Sequence, residues 1–597
     1  MIHQVLKDTF GYDAFRPMQE EAIKAVLDKK DVLLVMPTGG GKSICYQVPA
    51  LASEGIGIVI SPLIALMNDQ VLSLQQDGVK AAAYHSQIDY DKKQALMNSI
   101  GNGEMNIIYV SPESIRSESF VNYLKTQTIS LVAIDEAHCV SMWGNDFRQD
   151  YARLSTLKET FPDVPLIAVT ATADEATRKD ISKTLKLDKP VTITGSFARE
   201  NIHISTRPGQ DRFKQILHFL KDKQESNGII YATSRKSVES ISSKLNEKGI
   251  VTAFYHAGME RTQREKVHLD FVHDRVRIVC ATIAFGMGID KSNIRFVIHY
   301  NLSKNIESYY QEIGRAGRDD TPAEAVLFSS FADVNLFRSF IDDSDSTESY
   351  KQIQHQKLDR MWSFANGHHC RTNMILSYFG EFKEETCGNC DNCLEPPQTF
   401  DGTRYTQMAL SAITRTQERM PLNMLIDVLR GSSKQEIMRA GYNQIKTYGA
   451  GRDVPFADWR SYITQMLEQG LIQLDYTKGS IIKLTPRSKD VLFKGEKIQL
   501  VKFEWKEKTT KKPTRNIDFS EKDVDVDLFK RLKSLRASLA KEHNVPAYII
   551  FPNKSLEQMA AAKPTDNLSF SLISGVGKKK LESYGEVFLK EINRSEV

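Results

Sequence analysis

The chain has 597 residues, 41% of them hydrophobic and 26% charged, with a formal net charge of +4. That length is several times the roughly 100–200 residues of one domain, so about three to five domains with ordinary globular cores are expected. No apolar run approaches the ~18 residues that span a bilayer and MIHQVLKDTF is not a signal peptide, so a cytoplasmic protein without a membrane partner is expected; the small net charge leaves nucleic acid open.

Residues 1 to about 200 alternate short apolar runs with helical periodicity. VLLVM (32–36), GIVIS (57–61), NIIYVS (106–111), LVAID (131–135) and LIAVTA (166–171) read as buried parallel strands of a doubly wound α/β domain. Residues 205–340 repeat the scheme with GIIYAT (228–233), TAFYH (252–256), VRIVCAT (276–282) and FVIHY (296–300). Two such domains in tandem leave a cleft between them, a common place for ligands. From 341 the pattern turns helical and ends in a cysteine cluster closed by Pro396-Pro397. Residues 401–490 read as helices followed by a hairpin around Lys478-Gly479, and 518–597 as a compact helical module. The expected units are 1–204, 205–340, 341–400, 401–490, a basic linker 491–517, and 518–597. Residues 487–516 hold ten Lys/Arg against four Asp/Glu, either a solvated linker or a phosphate-contacting arm.

The stretch MPTGGGKS places Met36, Pro37, Thr38, Gly39, Gly40, Gly41, Lys42 and Ser43 between a strand and a helix. Three glycines let backbone amides wrap phosphate oxygens, Lys42 can reach the β- and γ-phosphates of ATP, and Ser43 can ligate Mg²⁺. Met36 stands where the general pattern has Gly. At a second strand end, Asp135 is suited to hold Mg²⁺ through water, and Glu136 to orient and polarise the attacking water. Late in the second α/β domain, QEIGRAGRD begins with Gln311, a candidate catalytic residue. It carries Arg315 and Arg318 three apart on one face, either an arginine finger for the γ-phosphate or a pair of surface salt bridges.

In order, MPTGGGKS, VISPLIALMNDQ, DEAH, AVTATA, GIIYATSR, ATIAFGMGID and ESYYQEIGRAGRD resemble the superfamily 2 helicases, and among them the bacterial RecQ DNA helicases, over essentially the whole chain. The resemblance implies two RecA-like domains that close on ATP with Mg²⁺. The implied enzyme is a DNA helicase moving 3′ to 5′ on single-stranded DNA, opening duplexes, forks and junctions in recombination and repair. FGYDAFRPMQEEAI (10–23) resembles the adenine-reading motif: Gln19 reads the base edge, Arg16 assists and Tyr12 packs on the ring. DEAHCVSMWGNDFR resembles the aromatic-rich loop of RecQ enzymes, with Met142 in place of a common Gln and Gln149 in place of a frequent Pro. Trp143 and Phe147 can stack on bases, worth about 1–3 kcal/mol each, and Arg148 can contact phosphate. Beginning just after His138, this loop is expected to couple strand binding to hydrolysis, with His138 and Thr170-Ala171-Thr172 as sensors. Single-strand-binding and recombination proteins are the expected partners, and a nucleoid-associated cytoplasmic location follows. An RNA helicase, a translocase without strand separation, and a DNA-binding protein with a dead motor are the alternatives.

Of seven cysteines, Cys45, Cys139 and Cys280 lie in apolar contexts and read as small buried hydrophobes. Cys370, Cys387, Cys390 and Cys393 have the spacing of a closed tetrahedral site for one structural Zn²⁺, a disulfide pair being the alternative; His368 and His369 read as surface or helix-capping residues. This part resembles the RecQ zinc-binding subdomain. Residues 404–490 resemble its winged helix, with 458–470 as recognition helix and 476–480 as wing tip, and 518–597 resemble the small all-α HRDC domain. There Lys578, Lys579 and Lys580, beside Gly575 and Gly577, form either a phosphate contact or a solvated helix start.

Overall fold

Runs of β-branched and aliphatic residues build two parallel sheets. The computed structural model describes the chain except for residues 142–148, 224, 284, 286–290, 476–480, 502–524, 544 and 595–597. The first sheet contains β1 (Val32–Val35), β2 (Ile56–Ile60), β3 (Ala81–Tyr84), β4 (Ile107–Val110), β5 (Ile129–Ile134), β6 (Leu166–Thr170) and β7 (Val191–Thr194), in the order β3-β4-β2-β5-β6-β1-β7. The second contains β8 (Ile202–Pro208), β9 (Asn227–Tyr231), β10 (Thr252–Tyr255), β11 (Ile278–Ala281), β12 (Ile294–His299) and β13 (Ala323–Ser329), in the order β10-β11-β9-β12-β13-β8. Helices cover both faces, so β1, β2, β4 and β6 are buried at every residue and read as unbroken apolar runs. β3, β7, β8 and β13 add to the strands expected from the sequence. Cys45, Cys139 and Cys280 are buried in these domains.

The order β5-β6-β1 brings the carboxyl ends of three adjacent strands together. DEAH, TAT and MPTGGGKS leave those three ends, the edge at which doubly wound sheets bind ligands.

Beyond the second sheet, helices Glu348–Asn366 and Arg371–Tyr378 carry the zinc-binding unit. The winged helix follows with helices Thr403–Arg415, Leu422–Arg430 and Phe456–Glu468 and the antiparallel hairpin Ile472–Asp475/Ile481–Leu484. Its extent differs from expectation. Gln499–Val501 pairs antiparallel with Thr399–Asp401, and helix Pro486–Phe493 packs under Thr403–Arg415, so the unit reaches across the expected borders at 400 and 490. The expected wing tip, 476–480, and linker residues 502–517 lie outside the described residues.

The expected recognition helix is also less open than a groove-reading helix. Ala457 and Arg460 stand exposed, while Trp459, Tyr462, Ile463 and Met466 enter the core. Its last turn is buried against helix Arg371–Tyr378. His369 belongs to that interface, which corrects its reading as a surface or capping residue: its Nε2 lies 3.2 Å from Gln469 Nε2 and 4.0 Å from Glu468 Oε2. Burial pulls His369 down to about 4 and pushes the Glu468 carboxyl up to about 8. The unfolded carboxyl ionises near 4.5, so this group's contribution to stability is full below pH 4.5 and is lost as pH rises through 8. Glu468→Gln should therefore raise the thermal unfolding midpoint at pH 8.5, with a smaller gain at pH 5.5. An equal change at both pH values would show that Glu468 is not the titrating group.

The C-terminal module comprises helices Val526–Glu542, Asn553–Ala562 and Lys578–Ile592 with two short ones, around Leu532, Phe551, Phe570 and Phe588. It docks on the first α/β domain. Gly575 N–H donates to Gly11 O (3.0 Å), and Tyr584 Oη to Gln76 Oε1 (3.3 Å). Gly11 has φ 72°, and a Cβ there would lie 2.4 Å from Gly577 N, so conformation and closeness both require glycine. Lys580 Nζ pairs with Asp77 Oδ1 at 3.1 Å in this partly buried interface. Of the lysine triplet, Lys578 and Lys579 stand exposed at the helix start, whereas Lys580 is neither a solvated residue nor free of a partner, being engaged with Asp77 in the docking. Among the described residues no helix is long and apolar enough to cross a membrane.

Candidate active site and metal centre

The phosphate loop is pinned at its start, where Met36 N–H donates to Thr170 O of β6 at 3.0 Å. Met36 is buried, and a Cβ on Gly40 would lie 2.6 Å from its Cγ. A long side chain fits at 36 because position 40 has none, which accounts for the departure from the usual glycine. Gly39 and Gly41 have φ of 82° and 80°, the left-handed turns that bring backbone amides to one side. The loop runs through Ser43 into helix Ile44–Ala52, whose N-terminus favours anions. Lys42 Nζ rests 3.4 Å from Met36 O.

Asp135 leaves β5 with its N–H bonded to Ile60 O (2.9 Å). Glu136 is left-handed, with φ 49°, and donates its N–H to Asp135 Oδ1 at 2.9 Å. His138 Nδ1 lies 3.3 Å from Glu136 Oε2 and 2.9 Å from Thr170 Oγ1, which in turn accepts Thr172 N–H at 3.3 Å. The carboxylate, the histidine and the TAT strand end are thus one connected group. Trp143, Phe147 and Arg148 lie outside the described residues, but both flanks of their loop are tied to this group. Ser141 N–H donates to His138 O (3.2 Å) while its Oγ is anchored on Asp180 Oδ2 (2.6 Å), and buried Tyr151 donates its hydroxyl to Asp135 O (3.1 Å). Sequence reading missed Tyr151, whose only signal was a tyrosine shortly after the loop.

The second domain supplies the opposite wall. Gln311, from helix Ile306–Ile313, and Arg315 and Arg318 just beyond it line one cavity of about 680 Å³ with Lys42, Ser43, Asp135 and Glu136. Thr38, Gly39, Gly41, Tyr12, Arg16 and Gln19 line it too, whereas Met36, Pro37, Gly40 and His138 stand behind its surface. Gln19 accepts Arg16 N–H (2.8 Å) and donates to Gly40 O (3.2 Å) and Gly41 O (3.0 Å); Arg16 donates to Gly39 O at 2.5 Å. The expected base readers therefore grip the phosphate loop itself. Tyr548, Lys554 and Ser574 of the C-terminal module form part of the cavity wall, a contribution with no counterpart in any sequence motif.

The ligand atoms of Cys370, Cys387, Cys390 and Cys393 all lie within 4.8 Å of one another. Cys370 and Cys390 precede helices Arg371–Tyr378 and Asp391–Leu394, and backbone N–H groups point at the sulfurs: Arg371 to Cys390 and Cys387 to Cys370 (both 3.3 Å), Asn389 to Cys387 (3.5 Å). Such donors favour thiolates, the ligand form. The Cys390–Cys393 sulfurs are 3.4 Å apart and Cys387–Cys393 3.8 Å, against about 2.05 Å in a disulfide. Four convergent thiolates fit one tetrahedral Zn²⁺ and leave no open position, so the metal is structural.

Family models match along the chain: DEAD/DEAH box helicase at 16–181, helicase conserved C-terminal domain at 211–320, RecQ zinc-binding at 331–394, RQC domain at 396–509 and HRDC domain at 525–592. The chain is 42% identical over 589 residues to the ATP-dependent DNA helicase RecQ of Haemophilus influenzae, covering 98% of this chain and 94% of that one. It is 42% identical over 592 residues to the Pasteurella multocida protein of that name (99% and 93% covered) and 36% over 597 residues to that of Bacillus subtilis (99% of each). With two RecA-like sheets, an ATP cleft, a zinc-binding unit, a winged helix and an HRDC module in one order, the chain belongs to the RecQ family of helicases.

Proposed function

We propose that this RecQ-family helicase uses ATP with Mg²⁺ to move 3′ to 5′ on single-stranded DNA and to open duplexes, forks and junctions during recombination and repair. The observation that carries the reading is the shared cavity, in which Lys42, Asp135 and Glu136 of one domain face Arg315 and Arg318 of the other. Lys42 holds the β- and γ-phosphates, and Ser43 and Asp135 are the holders of Mg²⁺, which when bound neutralises phosphate charge. Glu136 orients water, Arg315 or Arg318 serves as the finger, and Gln311 sits beside them. Gln19, Arg16 and Tyr12 read adenine, at the cost of the bonds that Gln19 and Arg16 now make to the phosphate loop. Trp143 and Phe147 stack on bases and Arg148 takes phosphate. Their loop reports to Asp135 through Tyr151 and to Glu136 through His138, within reach of Thr170 and Thr172. Polarity, pathway, the single-strand-binding and recombination partners and a nucleoid-associated cytoplasmic site rest on the kinship alone; the winged-helix unit takes in 399–501, which its paired end strands support, and the borders at 204, 340 and 517 are kept as expected.

The test is strand separation with ATP and Mg²⁺ on duplexes carrying a 3′ tail, a 5′ tail or none, in DNA and RNA. Selective opening of the 3′-tailed DNA, lost in Lys42→Ala, is expected. Trp143→Ala should bind ATP and lose DNA stimulation. Opening of RNA, or ATP turnover on DNA with no opening, selects the RNA-helicase or translocase alternative instead.

A further inference from the structure

We propose that Arg199 is a positioning residue for ATP hydrolysis, a strut on the interdomain linker that fixes the arginine-bearing loop of the second domain against the phosphate loop of the first. The inference rests on the reading of Arg315 and Arg318 as the groups that meet the γ-phosphate. Arg199 lies between β7 and β8, in the seven-residue stretch 195–201 where the chain crosses from one sheet to the other. Its Nη1 donates to Thr38 O (2.7 Å) on the first wall and to Gly314 O (3.3 Å) on the second. Its Nη2 donates to Ala316 O and Gly317 O, both at 3.0 Å. One guanidinium thus spans both sides of the cleft.

The choice of acceptors gives the strut its meaning. Four of its five acceptors are backbone carbonyls and the fifth is the neutral Thr38 hydroxyl (Oγ1, 3.5 Å), so the bonds fix chain geometry and not a side chain's charge. The carbonyls at 314 and 316 bracket Arg315, and that at 317 precedes Arg318. Asn201 reinforces them from the same linker, donating to Gly317 O (2.8 Å) and Thr321 O (2.9 Å). The walls are themselves in contact, since a Cβ on Gly314 would fall 1.8 Å from Thr38 Oγ1. The strut's own base is held on the zinc-binding unit: Glu381 accepts Ser196 Oγ–H (2.6 Å) and Phe197 N–H (2.8 Å), and Phe197 stacks on Phe379 with ring centroids 4.3 Å apart. Arg199 itself does not line the nucleotide cavity. Its action on the reaction is therefore through the placement of Arg315 and Arg318.

A guanidinium presents five donors in a rigid fork, whereas an ammonium presents three from one point. Lysine keeps the positive charge but cannot reach Thr38 O and the 314–317 carbonyls together. Misplacing a catalytic group by ~1 Å can cost about 10²-fold in rate. In the full-length chain with single-stranded DNA, Arg199→Lys is expected to lower kcat about 100-fold and to leave KM for ATP and the affinity for a non-hydrolysed ATP analogue within about threefold. Asn201→Ala should move kcat in the same direction with a smaller effect, which guards against a folding defect confined to one variant. The decisive readout is the cycle with the arginines. If Arg199 acts through them, Arg199→Lys costs little further turnover in an Arg315→Ala/Arg318→Ala background, a strongly non-additive result. Unchanged kcat, a weakened analogue affinity with kcat retained, or additive losses would each overturn the strut. A wild-type chain with no DNA-stimulated turnover would overturn the hydrolysis reading along with it, whereas a working wild type matched by Arg199→Lys overturns the strut alone.

Discussion

Glu136→Gln is expected to lower DNA-stimulated ATP turnover by about 10²–10⁴-fold while nucleotide affinity stays nearly unchanged, the range associated with loss of a positioned general base. The substitution keeps volume and the left-handed backbone while removing the charge. That backbone, φ 49°, is a conformation non-glycine residues reach at a cost of roughly 1–3 kcal/mol, and it persists because Asp135 Oδ1 takes the Glu136 N–H. The turn places both carboxylates on the wall of the cavity that Lys42 and Ser43 also line. Glu136 Oε2 is buried 3.3 Å from the His138 ring, with no hydrogen bond among the described residues, as suits an oxygen that engages water only in the loaded site. Phosphate release measured beside binding of a non-hydrolysed analogue separates the possibilities. Retention of more than about a tenth of the turnover would assign the water to another group, since even the weaker general bases contribute about 10²-fold. A parallel loss of affinity would make Glu136 a holder of nucleotide instead.

The sequence made the strands of the motor legible where both faces are buried, because such strands are unbroken apolar runs: β1, β2, β4, β5 and β6 lie within two residues of the expected spans. β3 and β7 are sheet edges with alternating or partial exposure, and the alanines of Ala81–Tyr84 carry no strand signal. Motif residues were legible for a different reason. Phosphate wrapping and thiolate geometry constrain consecutive residues, so Lys42 or Cys390 announces itself within a short window. Arg199 and Tyr151 bond groups distant in sequence, Tyr548 joins a cavity wall built mostly from the other end of the chain, and none of the three obeys a local spacing. His369 and Lys580 show the same limit from the other side: a polar residue in a polar stretch reads as solvated until the fold puts Glu468 or Asp77 beside it.

Cys390→Ala is expected to leave the chain without its zinc and to reach the motor as well as the zinc-binding unit. Apparent zinc affinities of about 10–16 kcal/mol in small thiolate sites are folding free energy for the segment that carries the ligands. Here that segment starts helix Asp391–Leu394, and its first residue is the partner of Arg371, buried at 1% exposure. Arg371 Nε bonds Asp391 Oδ1 (2.9 Å), its Nη2 bonds Thr206 Oγ1 (2.7 Å), and Asp391 Oδ2 accepts the N–H of Thr206 in β8 (2.9 Å). Releasing the helix strands a buried guanidinium, and breaking one partner of a buried pair costs about 3–5 kcal/mol. The damage then passes to β8 and, through Glu381 and Phe379, to the linker that holds Ser196 and Phe197. A lowered unfolding midpoint and a large loss of DNA-stimulated turnover should therefore accompany the loss of metal, while Cys280→Ala, buried in β11 and remote from the cluster in sequence and fold, keeps one zinc per chain. Metal content, unfolding midpoint and turnover of the two variants check this together. A Cys390→Ala chain that retains one zinc would hand the fourth ligand to another residue, and one that loses zinc yet unfolds and turns over like wild type would remove the metal from the support of the motor.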